Sequence, residues 1–585
     1  MLGKIADSIN RLSEKTKNAR FRNCLLIMVI AVQLMVMVFF AGQKSNYYID
    51  EMFSLGYSHT YIHPKEDVVY INYSEVWENE KWIDNVALKE QLETTRDDSV
   101  FRLSLSQALC RLFLRRNYMG ILNILMSTFA AGKMSYYPGI IFNLVIFVFT
   151  QLLLYRICRG MGSDFVPSLL AITTYGFSAI AIGLSLYIRF YAWTIFLLIV
   201  LVRLIQKMWS EDDLWKCEVW TGICLALAYL ALKNSELVFV YAGALIGLYA
   251  LGLLLAGQWK KAIVYLGTVA PLSLFYAVTK TPFVDIILHP FDYSGFDGPM
   301  GWMTRDMLSM SMGKFMYFVR LYKRWLDEQL TGSRYVTYGF LIVFLLLLEV
   351  KLLGKKPGQP VVPGKQPMMP DVKDPMKTRS AMQAHDAGTE QKKKHAAGFI
   401  WIILASELVY LVFCFLTCLP ATRYVSFLFP FIPVLLCTGI SRFSEGYKYR
   451  AFAIAGCAML TFIGIVSGFL HSDRIEYVYM EDRPLIASLE REGIQDAIVI
   501  YTDKEDATHV VYDCVNLMPE EAKIYPVQEA YHNINTDESP DDLLIWIKNG
   551  ESIHPCTDNL ETGGYRIDWL GKTHASDVYV ARRNN

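Results

Sequence analysis

Long apolar runs dominate this chain. They fall at about 22–41, 136–155, 165–186, 189–206, 218–232, 235–256, 261–279, 335–353, 397–418, 423–440 and 451–470. Most approach the ~20 residues a helix needs to cross the hydrocarbon core of a bilayer, so the pattern predicts about eleven spans. A shorter apolar stretch, 118–131, predicts a helix lying on or dipping into an interface. Beyond residue 470 the pattern changes. Pro484 to Gln495 has helical spacing, while Ala497 to Tyr501, Arg566 to Leu570 and Asp577 to Ala581 read as strands. The tail, 471–585, is therefore expected to be a small α/β domain.

Basic residues orient the spans. Lys4, Arg11, Lys15, Lys17, Arg20 and Arg22 precede or open the first run, which has no clear small-residue cleavage site and reads as a retained helix after a cytoplasmic segment, 1–21. With that end inside, alternation places Arg156 and Arg159, Arg203 and Lys207, Lys260 and Lys261, and Arg442, Lys448 and Arg450 inside as well. The proline-rich stretch 354–396, with Lys355, Lys356, Lys365, Lys373, Lys377 and Lys392 to Lys394, reads as a flexible cytoplasmic linker. Outside fall the loop 42–135, the loop 280–334 and the α/β tail. The expected architecture is a polytopic α-helical plasma-membrane protein, 22–470, with an extracytoplasmic C-terminal domain.

Composition adds little beyond this. Hydrophobic residues make up 53% of the chain, and 56 basic residues balance 56 acidic ones. Nothing in that balance argues for nucleic acid. Most cysteines sit inside apolar runs as small hydrophobes. Cys514 and Cys556 lie in the tail, where an outside location permits a disulfide that spacing alone does not decide.

The strongest local signal is Tyr47-Tyr48-Ile49-Asp50-Glu51-Met52-Phe53-Ser54, just past the outer end of the first span. Carboxylates at a membrane boundary are costly and tend to mark function, although a bare Asp-Glu pair is more often a solvated loop start. Adjacent acids resist ionising together, so one can serve as a base while hydrogen bonds hold the other. Arg189 and Arg423 interrupt apolar stretches at outer span ends. A guanidinium there either clamps a phosphate or simply snorkels to the interface. In the second outer loop His289, before Pro290, is a candidate phosphate or metal ligand, against the ordinary structural role of a lone histidine, and Asp285 is a candidate metal ligand.

Together these features resemble the GT-C class of membrane glycosyltransferases, most closely the protein O-mannosyltransferase and aminoarabinose transferase group. Ile49-Asp50-Glu51 matches that group's Asp-Glu signature. Tyr187-Ile188-Arg189-Phe190-Tyr191-Ala192 resembles its Arg-x-Tyr-Ala stretch, and Thr422-Arg423-Tyr424-Val425 with Phe429-Pro430 resembles a late-span Arg-Tyr and proline. Tyr136-Tyr137-Pro138 departs from the His-Pro-Pro of many relatives, which leaves the subgroup and its sugar open. The resemblance covers about 22–470 and not the tail.

The resemblance implies a GT-C fold and transfer of a sugar, with inversion, from a polyprenyl-phosphate donor to a lipid, glycan or protein at the outer face. Asp50 is then the catalytic base, supported by Glu51. Arg189, Arg423 and His289 hold the donor phosphate. A divalent cation, with Asp50, Asp285 and His289 as ligands, stays open. Two rivals remain. An oligosaccharide ligase or polymerase using a lipid diphosphate would need more outer cations, and a transporter would place ionisable groups mid-bilayer.

Overall fold

A computed structural model describes residues 18–584, apart from 60–80, 94–99, 280–310, 354–374, 529–538 and short breaks at 115, 236, 418, 420, 446–448, 502–503 and 553. The chain is a multi-span helical membrane protein with a C-terminal mixed-sheet domain. Each of the eleven apolar runs carries helix. Among the described residues seven helices are long and apolar enough to cross a membrane, or up to nine if two bent pairs each count as one span.

The bent pairs are Phe165–Gly176 with Ala179–Leu186, at 57°, and Met312–Leu330 with Arg334–Val350, at 96°. At the second bend Gly332 takes φ +74°, and a Cβ there would meet the Gly464 carbonyl, so only glycine fits. The run 423–440 is split into Thr422–Val425 and Phe431–Phe443. The helix containing 397–418 starts earlier than the run, at Pro375, so the second half of the expected linker is helical. Its Met, Ala, Gln, Glu and Lys residues are good helix formers, which outweighs the lack of an apolar face. Carboxyls also lie inside spans, Glu218 and Glu407 among them, unlike the boundary acids. Glu407, buried in the His395–Leu416 segment, accepts from Tyr241 Oη at 2.6 Å.

The chain divides into two compact units. One comprises Met1–Leu34, Ile146–Ile182 and Trp193–Arg474, and the other Met35–Val145, Gly183–Ala192 and Ile475–Asn585. The tail thus groups with the first long loop and with a ten-residue turn. That grouping is visible in the sheet. Its strands are β1 (Ile83–Asp84), β2 (Asp496–Tyr501), β3 (Lys523–Gln528), β4 (Asp542–Lys548), β5 (Tyr565–Lys572) and β6 (Ser576–Arg583), in the order β1-β3-β2-β4-β6-β5. β2 runs parallel to both β3 and β4, whereas β1, β5 and β6 pair antiparallel.

Alternation along β2 builds two cores. Ala497 and Val499 pack with Val511, Cys514 and Val515 of the Lys504–Leu517 helix, and Ile498 and Ile500 pack with Leu560 and Tyr565 on the other face. Pro526 masks β3 in the sequence, because proline cannot donate to a ladder. β1 covers β3 only at 523 and 524, so Pro526 lies where the strand is an edge. Cys514 is a buried free thiol whose pKa burial pushes well up. The Cys556 side chain lies outside the described residues.

Candidate active site

The Asp-Glu pair opens a helix, Ile49–His59, with both acids in the first turn, where the helix dipole favours negative charge. Glu51 sits at the third helical position and reaches back to accept from the Tyr48 backbone N–H at 2.8 Å, one half of a capping box. The same oxygen accepts from Lys44 Nζ at 2.9 Å, and the other accepts from the Ile188 N–H at 2.8 Å. Lys44 also donates to the Tyr477 carbonyl at 2.5 Å. Both side chains of this ion pair are 0% exposed. Burial pushes the Lys44 ammonium below its ordinary pKa, with Glu51 pulling it back up.

Asp50 is placed differently. Its side chain is 19% exposed, and Arg189 pairs with it at 3.7 Å. Tyr187 Oη donates to Asp50 at 2.7 Å. Arg189 donates to the Asp50 carbonyl at 2.9 Å and to Ser54 Oγ at 3.0 Å. Its Nε is buried with no partner among the described residues. Burial opposes the Arg189 charge, but Asp50 and the tyrosines around it outweigh that, so its pKa is raised. A hydroxyl donor and a guanidinium are the partners of an ionised carboxylate. The arrangement can therefore accept a proton at Asp50 beside a fixed positive charge.

Aromatic rings wall this region. Tyr187 stacks on Tyr477 at 3.8 Å and Tyr479 on His574 at 3.9 Å, with Tyr48 between the two stacks. The Tyr187 carbonyl is held by Asn143 Nδ2 at 2.8 Å.

Behind the loop lies a second polar cluster. Asp482, Asp513 and His574 offer ligand atoms within 4.8 Å of one another, the spacing of a group able to hold a metal ion. The carboxylate oxygens and His574 Nδ1 already have partners. Asn46 Nδ2 donates to Asp482 at 2.8 Å and to Asp513 at 2.7 Å. His574 contacts Asp482 through its backbone N–H and through Nδ1, each at 2.8 Å, and the Thr573 hydroxyl donates to Asp513. Asn46 Oδ1 accepts from the Tyr47 N–H at 2.8 Å and from Asn516 at 2.5 Å, which fixes the amide with its NH₂ between the carboxylates. A cation would have to displace that NH₂, so the donor set fits a hydrogen-bonded network better than a metal. Burial opposes charge on His574, yet the Asp482 hydrogen bond and the Asp513 charge outweigh it and raise its pKa above 6.5. Burial also raises Asp513, with His574, Thr573 and Asn46 working against it.

The structure thus brings Asp50, Glu51 and Arg189 together. Arg423 belongs to the other compact unit, where its guanidinium lies over the Tyr424 ring at 5.0 Å. His289 and Asp285 lie outside the described residues. The sequence reading missed Lys44, Asn46, Tyr187 and the tail residues Tyr477, Tyr479, Asp482, Asp513 and His574. Tyr187 lay inside a motif already singled out. The others gave no signal, because their partners are distant in sequence or of ordinary type.

No protein-family model matches the chain, and no curated protein matches it. Two solved structures are similar to this multi-span helical protein. They are crystal structures of ArnT from Cupriavidus metallidurans, a member of the aminoarabinose transferase group named above. The one bound to undecaprenyl phosphate is 9% identical with a TM-score of 0.47, and the apo one is 10% identical with a TM-score of 0.48. Each alignment covers 95% of this chain and 98% of ArnT.

Proposed function

We propose that this protein transfers one sugar from a polyprenyl-phosphate donor to a hydroxyl or amine acceptor at the outer face of the membrane, with inversion at the anomeric carbon. The observation that carries this reading is the unequal treatment of two adjacent acids. Glu51 is fully buried and paired, which leaves Asp50 partly exposed beside Tyr187 and Arg189. The motif resemblance supports the reaction class, and the geometry supports the roles.

Asp50 removes the acceptor proton as the acceptor oxygen or nitrogen forms its bond to the anomeric carbon. The bond from that carbon to the phosphate oxygen breaks, and polyprenyl phosphate leaves with its electron pair. Arg189, through its unused Nε, is the cation suited to that phosphate. Glu51 and Lys44 keep the turn that carries Asp50 in place.

The test uses purified protein and a panel of polyprenyl-phosphate sugars, with release of lipid phosphate or sugar as readout. Wild-type release should fall by about two to four orders of magnitude in Asp50→Asn, the worth of one positioned base. Unchanged release in that variant rejects the role of Asp50. No release from any donor rejects the donor class.

A further inference from the structure

We infer that Asn46 is a positioning residue for Asp50, and that the C-terminal domain serves the proposed reaction by gripping the first loop through it. The inference rests on the reading of Asp50 as the base. Asn46 is 0% exposed, and both polar atoms of its side chain are fully engaged. Its tail partners come from separate elements. Asp482 precedes the Arg483–Glu492 helix, while Asp513 and Asn516 lie on the Lys504–Leu517 helix. Thr573 and His574, in the β5–β6 turn, hold the two carboxylates from behind. Two parts of a domain more than 400 residues downstream thus meet on one loop residue, 436 and 467 positions away from it, and a third part backs them.

The grip extends along the loop. Ser45 N–H donates to the Val478 carbonyl at 3.1 Å, the Ser45 hydroxyl donates to the Tyr479 carbonyl, and Lys44 donates to the Tyr477 carbonyl. Three successive carbonyls of one strap thus receive the loop. The strap is strained, since Tyr477 and Tyr479 have φ of +68° and +55°, a left-handed conformation that bulky residues rarely adopt. Such conformations persist only where the surroundings over-determine them, and they cluster at functional sites. The strap also passes so close to Gly183 that a Cβ there would lie 2.9 Å from the Glu476 carbonyl.

Only three residues separate Asn46 from Asp50, a tether of about 14 Å at full extension. Apolar packing would suffice to attach the loop to the domain. Directional hydrogen bonds to a single amide set its position as well, and a buried polar network holds a unique geometry only when every member is satisfied.

The experiment uses the full-length protein in lipid nanodiscs and combines hydrogen–deuterium exchange with donor-release kinetics. In Asn46→Ala, exchange across 44–59 should rise about tenfold as the loop loosens locally, with β2 and β4 unchanged. Turnover should fall by up to about 100-fold with KM for the polyprenyl-phosphate sugar unchanged, because a misplaced base affects the chemical step more than binding. Asn516→Ala, which removes one donor and leaves the carboxylates paired, should shift both readouts in the same direction by less. Unchanged exchange in 44–59 overturns the inference, as does a loosened loop with undiminished turnover. Equal loosening of β2 and β4 also overturns it, because Asn46 would then serve the fold as a whole. Wild-type protein that releases nothing from any donor sinks the reading of Asp50 as the base. The exchange data would still report on the grip.

Discussion

One helical turn carries two ion pairs built in opposite ways. On one side Lys44 and Glu51 are 0% exposed and 2.9 Å apart, and backbone donors complete the Glu51 shell. On the other side Asp50 and Arg189 are 3.7 Å apart and retain 19% and 11% exposure. A buried pair costs much to desolvate and holds firmly once formed, so it serves to fix geometry. A looser pair at a partly open site can exchange its partner for a substrate. On the proposed reading, the adjacent acids divide a task that the dipeptide alone leaves undivided.

The comparison breaks most visibly at Asp50. Its replacement by Asn should lower release by orders of magnitude while the melting temperature in detergent holds. The opposite pattern is expected at Lys44. Lys44→Met strands a buried carboxylate, at a cost of about 3–5 kcal/mol, which should appear as a lowered unfolding temperature. Adding Glu51→Gln should recover part of the loss, because the amide oxygen still accepts from a backbone N–H. A Lys44→Met protein as stable as wild type would show that the pair is not structural.

Arg189→Lys keeps the charge and loses the fork. KM for the donor should rise about tenfold, the worth of one charge-assisted hydrogen bond, with a smaller change in kcat. An unchanged KM would confine Arg189 to bracing the Ile49–His59 helix.

The smallest effect concerns pH. The His574 pKa is raised in the folded protein, so its stabilisation is complete below the ordinary value of 6.5 and is lost as pH rises through the raised one. The unfolding temperature should fall as pH rises from about 6 through the raised value. His574→Gln should flatten that slope, and an equal slope in the variant would assign it to another group.

Part of this protein was legible without coordinates. Apolar runs declare membrane helices because the requirement is local, as every backbone group in lipid must be satisfied within its own segment. Asp50, Glu51 and Arg189 were legible because they sit in short motifs at span ends. β2 was legible as a short apolar run, and β5 and β6 from their strand-like patterns. β3 was hidden by Pro526, and β1 by having only two residues.

What the sequence determined by itself is therefore a multi-span helical membrane protein, with seven to nine candidate spans among the described residues against the eleven expected, a polar α/β tail and the acidic turn. Tertiary structure alone decided which acid is fully buried and which stays partly exposed. It also placed the tail beside the first loop, where Asp482, Asp513 and His574 meet Asn46. Hydrophobic periodicity records burial one element at a time. The partner of a buried polar group is set by where distant segments meet, and no local pattern encodes that.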